Sequence, residues 1–239
     1  MQELHWLNIR DLDFPDPERA LTVPNGLLAA GGDLNPERLL RAYKHGIFPW
    51  YEAGQPILWW SPDPRMVLYP DELHISKSLQ KTLNKAYFSI TWNHDFRAVI
   101  NSCAGIGIKN REDTWISSAM KQAYTELHEQ GWAHSLEVWQ DEKLVGGLYG
   151  IAMGRVFFGE SMFSKQNDAS KLAFVHLVKT VQGLGFSLID CQVANPHLAS
   201  LGAREIRRSE FIKHLATAID SDHLQTACWP EIGKQLDKR

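Results

Sequence analysis

A chain of 239 residues, 44% apolar and 22% charged, has the make-up of an ordinary globular protein, which sets aside disordered and fibrous classes and allows one large domain or a domain plus a small one. A formal net charge of −3 excludes a uniformly basic surface, so a nucleic-acid partner would have to be held by a local patch.

Met1 to Trp6 lacks the basic start and apolar run of a signal peptide, and no later run is long enough to span a bilayer, so a cytoplasmic protein with no membrane attachment is expected. Residues 1–32 are punctuated by Phe14-Pro15-Asp16-Pro17 and Val23-Pro24-Asn25-Gly26, which predicts little regular structure. Asn35-Pro36 reads as an N-cap followed by a first-turn proline, with Leu39, Leu40 and Tyr43 as an apolar face and Gly46 as the stop of a short helix. That helix delivers the chain into His45 to Arg65, where prolines at 49, 56, 62 and 64 stiffen a run of aromatics into irregular chain. Such a surface suits a flat ring such as a nucleobase; the other reading is a corner of core filled by rings. Met66 to Tyr69 reads as a strand, and the composition becomes more regular afterwards. A boundary is therefore expected near residue 66, dividing a small N-terminal domain (1–66) from a larger one (67–239).

Ser76 caps a predicted helix to about Ala86, with Lys77, Lys81 and Lys85 at i, i+4 and i+8 and no acidic residue between Ile75 and Phe88. Those lysines are a solvated face or a phosphate-backbone contact. Phe88 to Trp92 is a predicted strand, and Phe96 to Cys103 a helix stopped by Gly105 and Gly107. Ser117 caps a helix with Met120, Ala123, Tyr124 and Leu127 on its apolar side. Ala133 to Gln140 and Leu144 to Ile151 form a hairpin through Asp141-Glu142-Lys143, Arg155 to Phe158 a third strand, and Asp168 to Leu184 a long helix. Phe186 to Val193 is a further strand, and Glu210 to Ile219 a last helix. The sum is α+β, and the order of hairpin, strand, crossover helix and strand resembles that of the GCN5-related N-acetyltransferases.

Three positions carry chemistry. Glu160, in Gly159-Glu160-Ser161-Met162-Phe163-Ser164, falls just past an apolar strand end, where partial burial would raise its pKa or fix an anionic receptor; a turn or capping carboxylate is the plainer reading. In Leu188-Ile189-Asp190-Cys191-Gln192-Val193, alternation puts Asp190 and Gln192 on one strand face, where Asp190 could hold the Gln192 amide; an exposed face is the alternative. Cys191 then points into the core, with no base beside it to make a thiolate. The cysteines, Cys103, Cys191 and Cys228, are too widely spaced for a disulfide framework or a zinc site, and the ten histidines lack metal-ligand spacing, so no metal is expected. Val145-Gly146-Gly147-Leu148-Tyr149-Gly150 lies in a strand and lacks the strand-to-helix setting of a phosphate loop; Ser164 to Ser170, where a coenzyme A loop would lie, contains no glycine.

Motifs along nearly the whole chain carry a resemblance. Pro24-Asn25-Gly26-Leu27-Leu28-Ala29, Gly31-Gly32-Asp33-Leu34, Gly46-Ile47-Phe48-Pro49-Trp50, Ile57-Leu58-Trp59-Trp60-Ser61-Pro62-Asp63-Pro64-Arg65, Thr114-Trp115-Ile116, the Gly159 to Ser164 run and Ile189-Asp190-Cys191-Gln192 stand in the order in which similar motifs occur in the bacterial leucyl/phenylalanyl-tRNA–protein transferases. The resemblance implies an aminoacyltransferase; separately, no cofactor is expected, and a monomer is the expected state. It would move Leu or Phe, and less readily Met, from Leu-tRNA or Phe-tRNA to the N-terminal amine of proteins starting with Arg or Lys, marking them for N-degron proteolysis. It assigns Trp50 and Trp115 to the terminal adenosine, Leu148, Phe157, Met162 and Leu177 to the side-chain pocket, Glu160, Asp190 and Gln192 to peptide binding and catalysis, and Lys77, Lys81 and Lys85 to tRNA. The family often has Met at the position of Leu148 and Phe at that of Leu177, which leaves the shape of the pocket open. Two alternatives stand beside it: a coenzyme A-dependent N-acetyltransferase, which calls for a Gly-rich loop at Ser164 to Ser170, and a non-catalytic tRNA- or peptide-binding module, which makes no demand on Asp190 and Gln192.

Overall fold

The computed structural model describes residues 4–85, 87–105 and 116–219. It begins with β1 (His5–Leu7), β2 (Leu27–Gly31), α1 (Pro36–Lys44), β3 (Phe48–Pro49) and β4 (Leu58–Trp60). The four strands form one sheet in the order β1-β2-β4-β3, parallel between β1 and β2 and antiparallel elsewhere. Short strands therefore run through the N-terminal and aromatic stretches that the sequence predicts to be irregular. At two to five residues each they are too short to print an alternation, and β2 and β4 are paired across a distant stretch of chain.

Helix α1 forms as its signals predict. Asn35 accepts the Glu37 N–H, Pro36 opens the first turn, and Gly46 takes φ 74° just beyond the end. Buried Arg38 on α1 donates to Asp33 and to the carbonyls of Asn8, Ile9 and Asp11, which pins the irregular segment after β1. Trp59 is fully buried, edge-on to Phe14, with its indole N–H on the Gly31 carbonyl.

The remaining elements are β5 (Arg65–Leu68), α2 (Lys77–Leu83), β6 (Ser89–Trp92), α3 (Phe96–Ala104), α4 (Ser118–Glu129), β7 (Ala133–Gln140), β8 (Lys143–Met153), β9 (Val156–Ser164), α5 (Ala169–Gly183), β10 (Leu188–Gln192), α6 (Pro196–Ala199), β11 (Arg204–Ile206) and α7 (Arg208–Ile219). Their seven strands form a second sheet in the order β11-β5-β10-β9-β8-β7-β6, with β9 and β10 as its parallel pair. The antiparallel run β7-β8-β9, followed by crossover helix α5 and parallel strand β10, is the order the sequence predicts. The fold is α+β: a small four-stranded N-terminal sheet joined to a larger seven-stranded sheet.

Both faces of the large sheet are covered. Helices α2 and α5 bury one face with Leu148, Phe157 and Ile189, while α1, α3, α4 and α7 bury the other with Tyr149, Phe158 and Phe163. The alternation in β7 consequently sorts two buried faces and does not mark a wet one. Ser135 and Glu137 are as buried as Leu136 and Val138, and the Glu137 carboxylate is satisfied by the Ser135 and Thr91 hydroxyls. Among the described residues no helix is long and apolar enough to cross a membrane.

Candidate active site

Strands β9 and β10 pair over Val156–Phe158 and Leu188–Asp190, and the ladder ends there. Just beyond, each strand carries one extra residue relative to its other neighbour. Against β8 the register passes from Gly159↔Gly150 to Ser161↔Tyr149, leaving Glu160 bulged; against β5 it passes from Asp190↔Val67 to Gln192↔Met66, leaving Cys191 bulged. Bulges bend strands and re-aim side chains. Here they stand where the parallel pair parts, and Gln192 Nε2 donates across the gap to Glu160 Oε1 at 2.9 Å.

Gln192 has φ 63°, a left-handed conformation that costs a non-glycine residue on the order of 1–3 kcal/mol. Asp190 holds it there, its Oδ1 accepting the Gln192 backbone N–H at 2.9 Å. Asp190 is itself fully buried and gripped by buried Arg65, whose Nε and Nη2 donate to its two oxygens at 2.8 and 2.6 Å. The Arg65 guanidinium lies 4.7 Å from the ring centres of both Phe48 and Phe211. Asp190 thus fixes Gln192 through its backbone. The side-chain bond expected between them does not form, because the bulge at Cys191 breaks the alternation on which that expectation rests. Cys191, expected in the core, is partly exposed and lines the cavity described below, and burial together with the Asp190 charge pushes its thiol pKa up.

Glu160 sits within β9, which runs past the predicted strand end at Phe158 to Ser164. Its Oε1 accepts from the Tyr43 hydroxyl of α1 at 2.7 Å and its Oε2 from the Tyr124 hydroxyl of α4 at 2.8 Å, and the two hydroxyls also touch each other. Two hydroxyl protons can satisfy only two of these three contacts, so the ring of hydrogen bonds closes completely when Glu160 carries a proton. Part of Glu160 faces open space, but its carboxyl is enclosed, and burial drives its pKa up to about 7. Hydrogen bonds from Tyr43 and Tyr124 pull it back, the Asp190 charge pushes it up, and the Gln192 bond pulls it down. Burial and the Glu160 charge hold both tyrosines well above their usual range, so they remain protonated donors. Neither tyrosine is a site residue on sequence grounds, since each falls on the apolar face of its helix. The available signal is that a buried tyrosine hydroxyl needs a partner.

A cavity of about 280 Å³ opens beside the gap. Leu148, Phe157, Met162 and Leu177, the four expected pocket residues, all line it together with Phe174, and Glu160 and Gln192 form its polar end. A second cavity of about 210 Å³ shares Glu160 and Gln192 and is walled by Phe48, Pro49 and Trp50. Trp50 is 46% exposed there, as a stacking platform must be. Trp115 lies outside the described residues. Lys77, Lys81 and Lys85 are exposed on α2 and just beyond it, line neither cavity, and make no ion pair among the described residues; Lys85 lies 5.7 Å from the centre of the Tyr87 ring. Among the described residues no cluster of three or more His, Cys, Asp or Glu could hold a metal ion.

The sheet splits at its parallel strand pair, with a largely apolar cavity beside the split and a carboxyl–amide pair across it. A family described as leucyl/phenylalanyl-tRNA protein transferase matches residues 67–216, and the N-terminal domain of the same family matches residues 32–63. The chain is 61% identical over 212 residues to a leucyl/phenylalanyl-tRNA–protein transferase of Pseudomonas aeruginosa, covering 89% of this chain and 93% of that one. It is 57% identical over 217 residues to the protein of that name in Pseudomonas fluorescens, covering 91% and 96%. Among solved structures it is distantly similar to a GCN5-related N-acetyltransferase from Kribbella flavida, with TM-score 0.40, 12% identity and coverage of 68% and 58%. The chain belongs to the leucyl/phenylalanyl-tRNA–protein transferases, and it is an aminoacyltransferase that uses aminoacyl-tRNA.

Proposed function

We propose that the protein transfers Leu or Phe, and less readily Met, from aminoacyl-tRNA to the α-amine of proteins that begin with Arg or Lys, and that Glu160 and Gln192 receive that amine. The observation that carries this reading is the Glu160–Gln192 hydrogen bond at the meeting of the two cavities. The deep apolar cavity takes the aminoacyl side chain between Leu148, Phe157, Met162 and Leu177, and the terminal adenosine stacks on Trp50, with Trp115 as its second platform. Lys77, Lys81 and Lys85 meet the tRNA backbone. The product enters N-degron proteolysis in the cytoplasm. The enzyme acts as a monomer, and its domains meet near residue 66.

Aminolysis of the ester needs a neutral amine held against the carbonyl. Glu160 pairs with the incoming α-ammonium and takes one proton from it. Because the Gln192 N–H is spent on Glu160, its Oε1 is left to accept from the attacking nitrogen. A Gln amide is a very weak base, so Gln192 contributes orientation above all. As the C–N bond forms and the C–O bond breaks, the second amine proton leaves on the 3′ oxygen of the ribose, directly or relayed through Gln192. Single-turnover transfer from Leu-tRNA to an Arg-starting peptide should slow by roughly a hundredfold in Gln192→Ala and in Gln192→Glu. Wild-type rates in both would refute the role.

A further inference from the structure

A third cavity lies against Trp50, on the side of the site nearest the N-terminal domain. Its volume is about 140 Å³, and its walls include Phe48, Trp50, Trp60, Pro64 and Val193. Glu205, on β11, is the charged residue among its lining. Asn25, also at its edge, is occupied by both backbone groups of Asp63. The Glu205 carboxylate is exposed and has no ion pair among the described residues, whereas its neighbour Arg204 is paired with Glu72 and covers Tyr69.

Sheet register relates this carboxylate to the chemistry. Gln192 of β10 and Glu205 of β11 both face Met66, from opposite sides of β5. The two residues are therefore two strand spacings apart, about 10 Å between Cα atoms. An extended arginine separates its α-nitrogen from its guanidinium carbon by roughly 7 Å, and lysine has a similar reach. An α-amine held at Glu160 and Gln192 can thus send its own side chain over Val193 into this cavity, since Val193 lines all three spaces. Tryptophan walls and one carboxylate are the surroundings that a guanidinium or ammonium on an apolar stem prefers.

Building on the acceptor reading above, we infer that this cavity is the specificity pocket for the side chain of the acceptor's first residue, with Glu205 as its counter-charge and Trp50 and Trp60 as its cation-binding walls. The α-ammonium belongs to Glu160 and the side-chain cation to Glu205, so a single basic residue is read at both ends. Trp50 then serves both substrates. It borders the cavity assigned to the adenosine as well as this one, and binding of the aminoacyl end would narrow the mouth through which the acceptor side chain enters.

The test uses the full-length enzyme, Leu-tRNA and four peptides that differ only in the first residue: Arg, Lys, Ala and citrulline, the uncharged isostere of Arg. The wild type should prefer Arg over citrulline. In Glu205→Gln the KM for the Arg and Lys peptides should rise roughly tenfold, bringing Arg level with citrulline, while KM for Leu-tRNA and the melting temperature stay at wild-type values. Glu205→Lys should raise the Arg-peptide KM further. A wild-type enzyme that does not distinguish Arg from Ala overturns both the acceptor reading and this pocket. If instead the wild type discriminates and both Glu205 variants keep its Arg-to-citrulline ratio, the pocket alone is overturned and the acceptor reading stands.

Discussion

In the proposed mechanism Glu160 couples function to stability through one proton. An exposed glutamate titrates near 4.5, whereas Glu160 in the folded protein titrates near 7 because burial disfavours its charge. Between those values the folded protein keeps a proton that the unfolded chain has released. This group therefore makes the protein less stable as pH rises from 4.5 to 7, and its effect levels off above that. Glu160→Gln mimics the protonated carboxyl at every pH. It should melt a few °C above wild type at pH 8, show little difference at pH 4.5, and transfer at least roughly tenfold more slowly. Thermal unfolding at the two pH values checks the sign, and a variant that melts below wild type at pH 8 refutes it. At this scale the sequence shows part of the site. Glu160, Asp190 and Gln192 stand out as polar residues in apolar strand context, and Leu148, Phe157, Met162 and Leu177 follow from the family's motifs. Tyr43, Tyr124 and Arg65 do not stand out as site residues: the two tyrosines match the apolar faces of their helices, and a bond to Asp190 across 125 positions leaves no local trace.

Between elements, the cavity depends on how closely α5 approaches β8. Gly146 makes that approach possible: a Cβ there would come within 2.5 Å of the Ala169 Cβ and 2.9 Å of the Ala169 carbonyl carbon, in the first turn of α5. Helix α5 carries Phe174 and Leu177 on the cavity wall, so pushing its start away from the sheet moves that wall. Gly146→Ala should cost about 1–3 kcal/mol and raise KM for Leu-tRNA, read by denaturant unfolding and initial rates. Unchanged values of both would mean the helix can yield locally. The long elements of the C-terminal domain, such as α4, α5, β7 and β8, are legible because each runs long enough to repeat its period. The strands of the N-terminal sheet are not, and neither are the bulges at Glu160 and Cys191. A bulge depends on pairing between strands, and only the partner's register reveals it.

At the scale of the whole molecule, the family matches break between residues 63 and 67, yet the physical join there is dense. Arg65 lies just before the proposed boundary and is the buried partner of Asp190 beyond it. Arg208 of α7 donates to the Ser61 carbonyl at 2.7 Å and pairs with Glu18 at 3.3 Å. Tyr43 reaches from α1 into the site, and Phe48 and Trp59 share one apolar cluster with Phe158 and Phe211. The N-terminal sheet thus supplies one wall of the core, and helix α1 beside it one tyrosine of the candidate site. The full chain should accordingly unfold in a single transition. A chain starting at residue 67 loses Arg65 and leaves Asp190 charged and buried without its partner, a defect worth about 3–5 kcal/mol against a typical total stability of about 5–15 kcal/mol. It also exposes the face of the core that Phe48 and Trp59 cover. Such a fragment should lack a cooperative transition by circular dichroism and transfer no Leu, and adding residues 1–66 as a separate chain should restore neither. A fragment that melts cooperatively within a few degrees of the full chain would mean that the large sheet is stable by itself and that Arg65 serves the site alone.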